Sequence, residues 1–154
     1  GNDGLNDDGD VASPGSVDLA ISVGATTQGG SVWQNSSAGA SYDREGILRQ
    51  HPNMKPEVVA PGERIISTGQ DNLWYSSSGT SDATVFVTGA LALILQENPR
   101  LKAQANDDSA CLVKVKQALV NSMAETGEGH DTRTGYGQLD AAAWLNESHQ
   151  IGPC

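Results

Sequence analysis

Apolar positions fall into a few stretches separated by segments rich in Gly, Ser, Asn and Asp. The most apolar stretch runs from Ser81 to Glu97, with no helix breaker but Gly89 inside it and Pro99 just beyond it. This pattern predicts a helix over 81–97, apolar nearly all round and destined for a domain interior. Ser81 stands at its N-terminal mouth. A second helix is predicted from about 109 to 125: Leu112, Val113, Val115, Leu119 and Met123 approximate one stripe, and Lys114, Lys116 and Gln117 face away. A third, over 140–146, packs Trp144 and Leu145. Short β-prone runs cover 17–25, 57–60 and 64–67, the last two joined by the turn pair Pro61-Gly62. Residues 1–16 are almost devoid of apolar side chains and read as loop, and 26–55 read as loops and hairpins.

A serine at a helix mouth has a chemical meaning beyond its preference as a cap. The first helical turn offers unpaired N–H groups and the positive end of the helix dipole. A hydroxyl there can attack a carbonyl while neighbouring N–H groups receive the oxyanion. For Ser81 in isolation the capping role is the commoner one.

The surrounding motifs favour the chemical role. Gly79-Thr80-Ser81-x-Ala83-Thr84 resembles the nucleophile motif of subtilisin-like serine proteases, and further landmarks stand around it in family order. Gly1-Asn2-Asp3-Gly4 resembles the loop carrying the oxyanion-hole Asn, and Ser13-Pro14-Gly15 the turn that follows, with a cis peptide implied at Ser13-Pro14. Ile21 to Ala25 resembles the next core strand, and Lys55 to Gly62 and Gly135 to Asp140 complete the set. The resemblance spans nearly the whole chain. It implies an α/β fold, the subtilisin-like three-layer α/β/α arrangement with a mostly parallel sheet. Residues 1–154 would form the C-terminal half of one such catalytic domain. In that family the catalytic Asp and His precede the Ser, so a separate N-terminal half would supply them and would be this chain's partner.

By resemblance, Ser81 is the nucleophile and Asn2 the side-chain oxyanion donor. Asp10, Val11, Ala12 and Ser13, together with Gly79, would contact a peptide or protein substrate. The implied activity is that of a serine endopeptidase acting through an acyl-enzyme, with no cofactor required for the chemistry and secretion to the extracellular space. By itself the half would lack triad catalysis and would leave a sheet edge and apolar helix faces uncovered. The chain departs from the family pattern after the nucleophile, where Asp82 stands in place of an uncharged residue and, beyond the matching Ala83 and Thr84, Val85 and Phe86 stand in place of Pro and His. A carboxylate beside the nucleophile opposes a developing oxyanion, so a second reading stays open: a pseudoprotease, or a structural or binding domain that keeps the fold without turnover.

Charge and composition narrow the partners. Nine Lys and Arg against 19 Asp and Glu give a net charge of −10, which argues against nucleic acid or an anionic membrane. No apolar run is long enough to span a bilayer, and the acidic, Gly-rich start does not resemble a signal peptide. Asp3, Asp7, Asp8 and Asp10 crowd the first ten positions. An EF-hand is excluded, because setting Gly9 at its sixth position places Gly4 where the first ligand belongs and Gly15 where the Glu belongs. An irregular structural calcium site, common in the family, stays open, and no metal ligand is assigned. Cys111 and Cys154 fit no zinc pattern, and the secretion implied by the resemblance favours a disulfide between them. Asn35-Ser36-Ser37 and Asn146-Glu147-Ser148 match the glycosylation acceptor pattern. His51, His130 and His149 each read as solvated side chains, and a self-contained Ser81, Asp131, His149 triad is disfavoured because Ala83 stands where a tight nucleophile elbow needs Gly.

Overall fold

Val23–Thr26 (β1) and Val58–Pro61 (β2) pair in parallel, Val23 opposite Val58 and Thr26 opposite Pro61. The computed structural model describes residues 1–6, 9–102, 109–123 and 129–152. All four residues of β1 are buried, as an inner strand of an α/β sheet requires. The expected sheet edge is not bare: along β1 the Trp33 amide donates to Ala25 O at 2.8 Å and the Ala25 amide to Ser36 Oγ at 3.0 Å. Beyond β2, Val59 bridges in parallel to Gln138. Ile65–Thr68 (β3) and Trp74–Ser77 (β4) form an antiparallel hairpin leading into the nucleophile turn.

Thr80–Glu97 (α1) starts one residue earlier than the sequence pattern indicated, and Gly79 is its N-cap. Ala83, Val87, Ala90 and Ile94 form its buried face against β1 and β2. The expectation of a helix apolar and interior on all sides is corrected: Val85 is 68% exposed, Phe86 44% and Leu93 65%. Ala110–Met123 (α2) and Ala141–His149 (α3) pack against each other, and fully buried Trp144 donates its indole N–H to Val115 O at 3.1 Å. Asp140 caps α3 by accepting from the Ala143 amide.

Two further expectations change. The β-prone run 17–25 is extended only from Val23, because 14–20 fold into turns: Val17 N donates to Pro14 O and Ala20 N to Val17 O. The carbonyls of Val17, Asp18 and Ala20 serve as acceptors for two buried ammonium groups instead of a neighbouring strand. On α2, Lys116 is buried while Leu112 and Val113 lie on the exposed side, the reverse of the simple stripe. Its ammonium and that of Lys55 both meet Glu57 Oε1, and Glu57 Oε2 accepts from the Ser22 amide at 2.7 Å. This charge-paired knot ties the 17–22 turns, the approach to β2 and α2 together.

Ser13-Pro14 is cis, as the resemblance implied. Cys111 is buried and disulfide-bonded. Cys154, Asp7 and Asp8 lie outside the described residues. No helix among the described residues is long and apolar enough to cross a membrane.

Candidate active site

The nucleophile turn is set by a close backbone approach. The Gly79 amide donates to Gly62 O at 2.8 Å, and a Cβ on Gly62 would lie 2.7 Å from both the Ala25 Cβ and Gly79 O. Only glycine at 62 lets the turn after β2 come this near. Ser78 Oγ accepts from the Arg64 amide, which fastens the turn to the start of the hairpin. Ser81 follows as the second residue of α1, exposed, so it does not itself cap the helix.

Asn2 arrives from the other end of the chain. The Gly1–Gly4 loop lies on residues 35–37 through Gly4 N to Asn35 O, Ser37 N to Gly1 O and Asp3 N to Ser37 Oγ, each 3.0 Å. A Cβ on Gly4 would fall 2.2 Å from Ser36 O, so the loop can settle there only without a side chain. Residues 33–36 are held from below by Arg133, whose Nη2 donates to the carbonyls of Trp33, Gln34 and Ser36. This support left no sequence signal beyond an ordinary arginine.

Asn2 Oδ1 accepts from both the Thr80 amide, at 2.9 Å, and Thr80 Oγ1, at 3.0 Å. It thereby satisfies one of the orphan N–H groups at the start of α1. With the carbonyl oxygen engaged, Nδ2 is the group left to donate. The space that a side chain at 79 would fill is bordered by Asn2 Nδ2 at 3.4 Å, Asp82 Oδ2 at 3.5 Å and the Ser81 amide nitrogen at 3.7 Å. Two N–H donors, Asn2 Nδ2 and the Ser81 amide, therefore border one space at this turn, with one carboxylate oxygen near them. The other oxygen of Asp82 accepts from Ser77 Oγ at 2.5 Å, tying the helix start to the end of β4.

A cavity of about 240 Å³ adjoins this turn. Gly1, Ala12, Ser13, Pro14 and Gly15 line one side, Ala20 to Val23 another, and Thr80 and Thr84 the helix side, so no charged side chain faces it. Of the residues expected to contact substrate, Ala12 and Ser13 line this cavity. Asp10 and Val11 are not among the lining residues: Val11 is buried, and the Asp10 carboxylate takes Arg49 Nη1 at 2.8 Å and Nη2 at 2.9 Å. Burial pushes the Asp10 carboxyl up, but the Arg49 guanidinium and the Ala40 and Val11 amides outweigh it and hold the group below its usual range. Gly79 borders the space between the donors rather than the cavity.

No histidine among the described residues hydrogen-bonds to Ser81. His51 faces Gln117 and the edge of Tyr136, and His130 meets Pro56 O and the same ring. Both rings touch Tyr136, whose hydroxyl burial raises to about 12; His130 is half-buried there, whereas His51 is exposed, as expected of a solvated side chain. His149 ends α3 and its carbonyl accepts from Arg100, just past the C-terminal end of α1. The 18 residues of α1 span about 27 Å, which sets His149 at the far end of the helix from Ser81. Asp131 is occupied by Arg133 and Thr134, so the self-contained triad does not form. Among the described residues no three His, Cys, Asp or Glu side chains converge as a metal site.

With fold and site in view, the comparisons agree on one family. The subtilase family model matches residues 1–137, and the chain belongs to that family. It is 38% identical over 134 residues to an intracellular serine protease of Paenibacillus polymyxa, covering 84% of this chain and 37% of that protein. It is 33% identical over 135 residues to the alkaline elastase YaB of a Bacillus species, covering 88% of this chain and 29% of that one. Among solved structures, the CspB protease of Clostridium perfringens superposes with a TM-score of 0.69 at 25% identity, over 92% of this chain and 29% of that chain. The self-cleaved protease domain of PatA gives 0.62 at 25% identity, covering 90% and 44%. The chain thus spans well under half the length of these relatives.

Proposed function

We propose that this chain is the nucleophile-bearing part of a subtilisin-like serine endopeptidase. Ser81 Oγ adds to the scissile carbonyl carbon, and its proton passes to a base. The resulting oxyanion is held by Asn2 Nδ2 and the Ser81 N–H, the amine leaves with the proton, and water then releases the acyl group. The observation that carries this reading is that two donors, Asn2 Nδ2 and the Ser81 N–H, border one space at the turn that carries the exposed Ser81, with no acceptor for either among the described residues. The uncharged lining of the adjoining cavity supports an uncharged residue on the acyl side of the cleaved bond. A companion N-terminal segment supplies the base and the acid that orients it. The exposed Val85, Phe86 and Leu93 on α1 give that segment an apolar face to cover. The reading takes an extracellular setting, which the family does not share throughout, since the Paenibacillus relative is an intracellular protease.

A second reading, a subtilase fold without turnover, is favoured by one observation: the Asp82 carboxylate lies at the same space as the donors and opposes negative charge there. Labelling of the full-length protein by a fluorophosphonate decides between them. An adduct on Ser81 supports the protease. No adduct in folded protein supports the inert domain. For an active enzyme, Asn2→Ala lowers kcat by roughly 10²–10³ with little change in KM, since a donor to the oxyanion acts in the transition state. That range is the one measured for a subtilisin Asn donor. An equal rise in KM with kcat preserved would instead mark Asn2 as a ground-state contact.

A further inference from the structure

Arg49 belongs to the 40–54 segment, part of the stretch that reads in sequence as loops and hairpins, and Tyr42 and Leu48 there pair across an exposed turn built on Asp43. Arg49 itself is 5% exposed and spends its guanidinium inward. Nη1 and Nη2 grip the two oxygens of Asp10 side by side, Nη2 also reaches Ser16 O at 3.4 Å, and Nη1 reaches Ala40 O at 2.9 Å and Tyr42 O at 3.2 Å. Asp10 Oδ1 accepts in addition from the Ala40 amide. Asp10 and Ser16 are the two ends of the segment whose middle, Ala12 to Gly15, forms one wall of the cavity that Thr80 and Thr84 line from the helix side, Thr80 being the neighbour of Ser81. One side chain therefore fastens both ends of that wall, and a planar fork does this where a point charge cannot.

We propose that Arg49 is a positioning residue that sets the width of the acyl-side pocket by clamping segment 10–16. This rests on the protease reading for its kinetic consequence, though not for its structural one. The 40–54 segment then acts as a brace, and selectivity between large and small acyl-side residues depends on it.

The test uses the full-length protein with Arg49→Met and Arg49→Lys, counting competent sites by fluorophosphonate titration. Per titrated site, Arg49→Met raises KM roughly tenfold for a peptide with a large apolar acyl-side residue and leaves the Ala analogue within about twofold. Arg49→Lys, which keeps the charge but not the fork, falls between. A drop in titratable sites with both KM values unchanged reduces Arg49 to a folding role and overturns the proposal. Hydrogen exchange in the same proteins is independent of catalysis. Amides of segments 10–17 and 40–42 exchange about tenfold faster in Arg49→Met while those of α2 do not. Unchanged exchange in these segments overturns the clamp even in a protein that cleaves nothing, and failure of the wild type to label counts against the protease reading alone.

Discussion

Ser81→Ala in the full-length protein eliminates fluorophosphonate labelling and lowers peptide hydrolysis on the order of a millionfold in kcat, the loss measured when a subtilisin nucleophile is removed. The substitution costs the fold little, because Ser81 is exposed and the cap of α1 is made by Gly79 and by the oxygen of Asn2 rather than by the serine hydroxyl. A stable but unreactive variant therefore isolates the chemistry from the structure. Residual cleavage remains because the two donors and the cavity persist. Hydrolysis of Ser81→Ala at the wild-type rate would mean that another group performs the attack.

Glu57→Ala produces the largest loss of stability in this chain, about 3–5 kcal/mol, read as a fall in the urea midpoint of the full-length protein. Glu57 is fully buried and is, among the described residues, the one carboxylate paired with both Lys55 and Lys116, so its removal strands two ammonium groups inside the fold. Their remaining acceptors are the carbonyls of Val17, Asp18 and Ala20 and the Asn53 side chain, which lower the cost without cancelling charge. The same knot has a pH signature. Burial lowers the Lys55 ammonium from 10.5 to about 8, opposed by Glu57 and assisted by Lys116. Between about 8 and 10.5 the unfolded chain holds a proton that the folded chain has released, so stability rises with pH through that window. In Lys55→Met the rise is absent. A wild-type midpoint that stays flat from pH 8 to 10 would show that Lys55 keeps its proton throughout.

The helices were legible because each writes a long pattern into the sequence: 81–97 is observed as Thr80–Glu97, about 109–125 as Ala110–Met123, and 140–146 as Ala141–His149. The strands on either side of the Pro-Gly turn were equally plain, but β4 was not, since Trp74, Tyr75, Ser76 and Ser77 are all at least partly exposed and carry no inward alternation. Motif order brought Asn2 and the Gly79-Thr80-Ser81 turn together across nearly 80 residues, a proximity no periodicity encodes. What the sequence hid were the long polar side chains that work inward. Lys116 and Arg49 look like surface residues until Glu57 and Asp10 are seen beside them, because burial of a charge depends on a partner distant in sequence. The outer face of α1 departs from the sequence pattern for the opposite reason: its Val85, Phe86 and Leu93 are apolar yet exposed, and apolarity alone does not say which face is packed.

The side chain at position 2 divides its labour between its two ends, with the oxygen serving Thr80 and the nitrogen bordering the space next to the Ser81 amide. Exchange of that amide for a carboxylate, as in Asn2→Asp, would keep an oxygen for Thr80 and remove the donor that the proposed chemistry calls on. A protease altered in this way would keep its melting curve while its turnover falls, so a thermal scan would be blind to the loss.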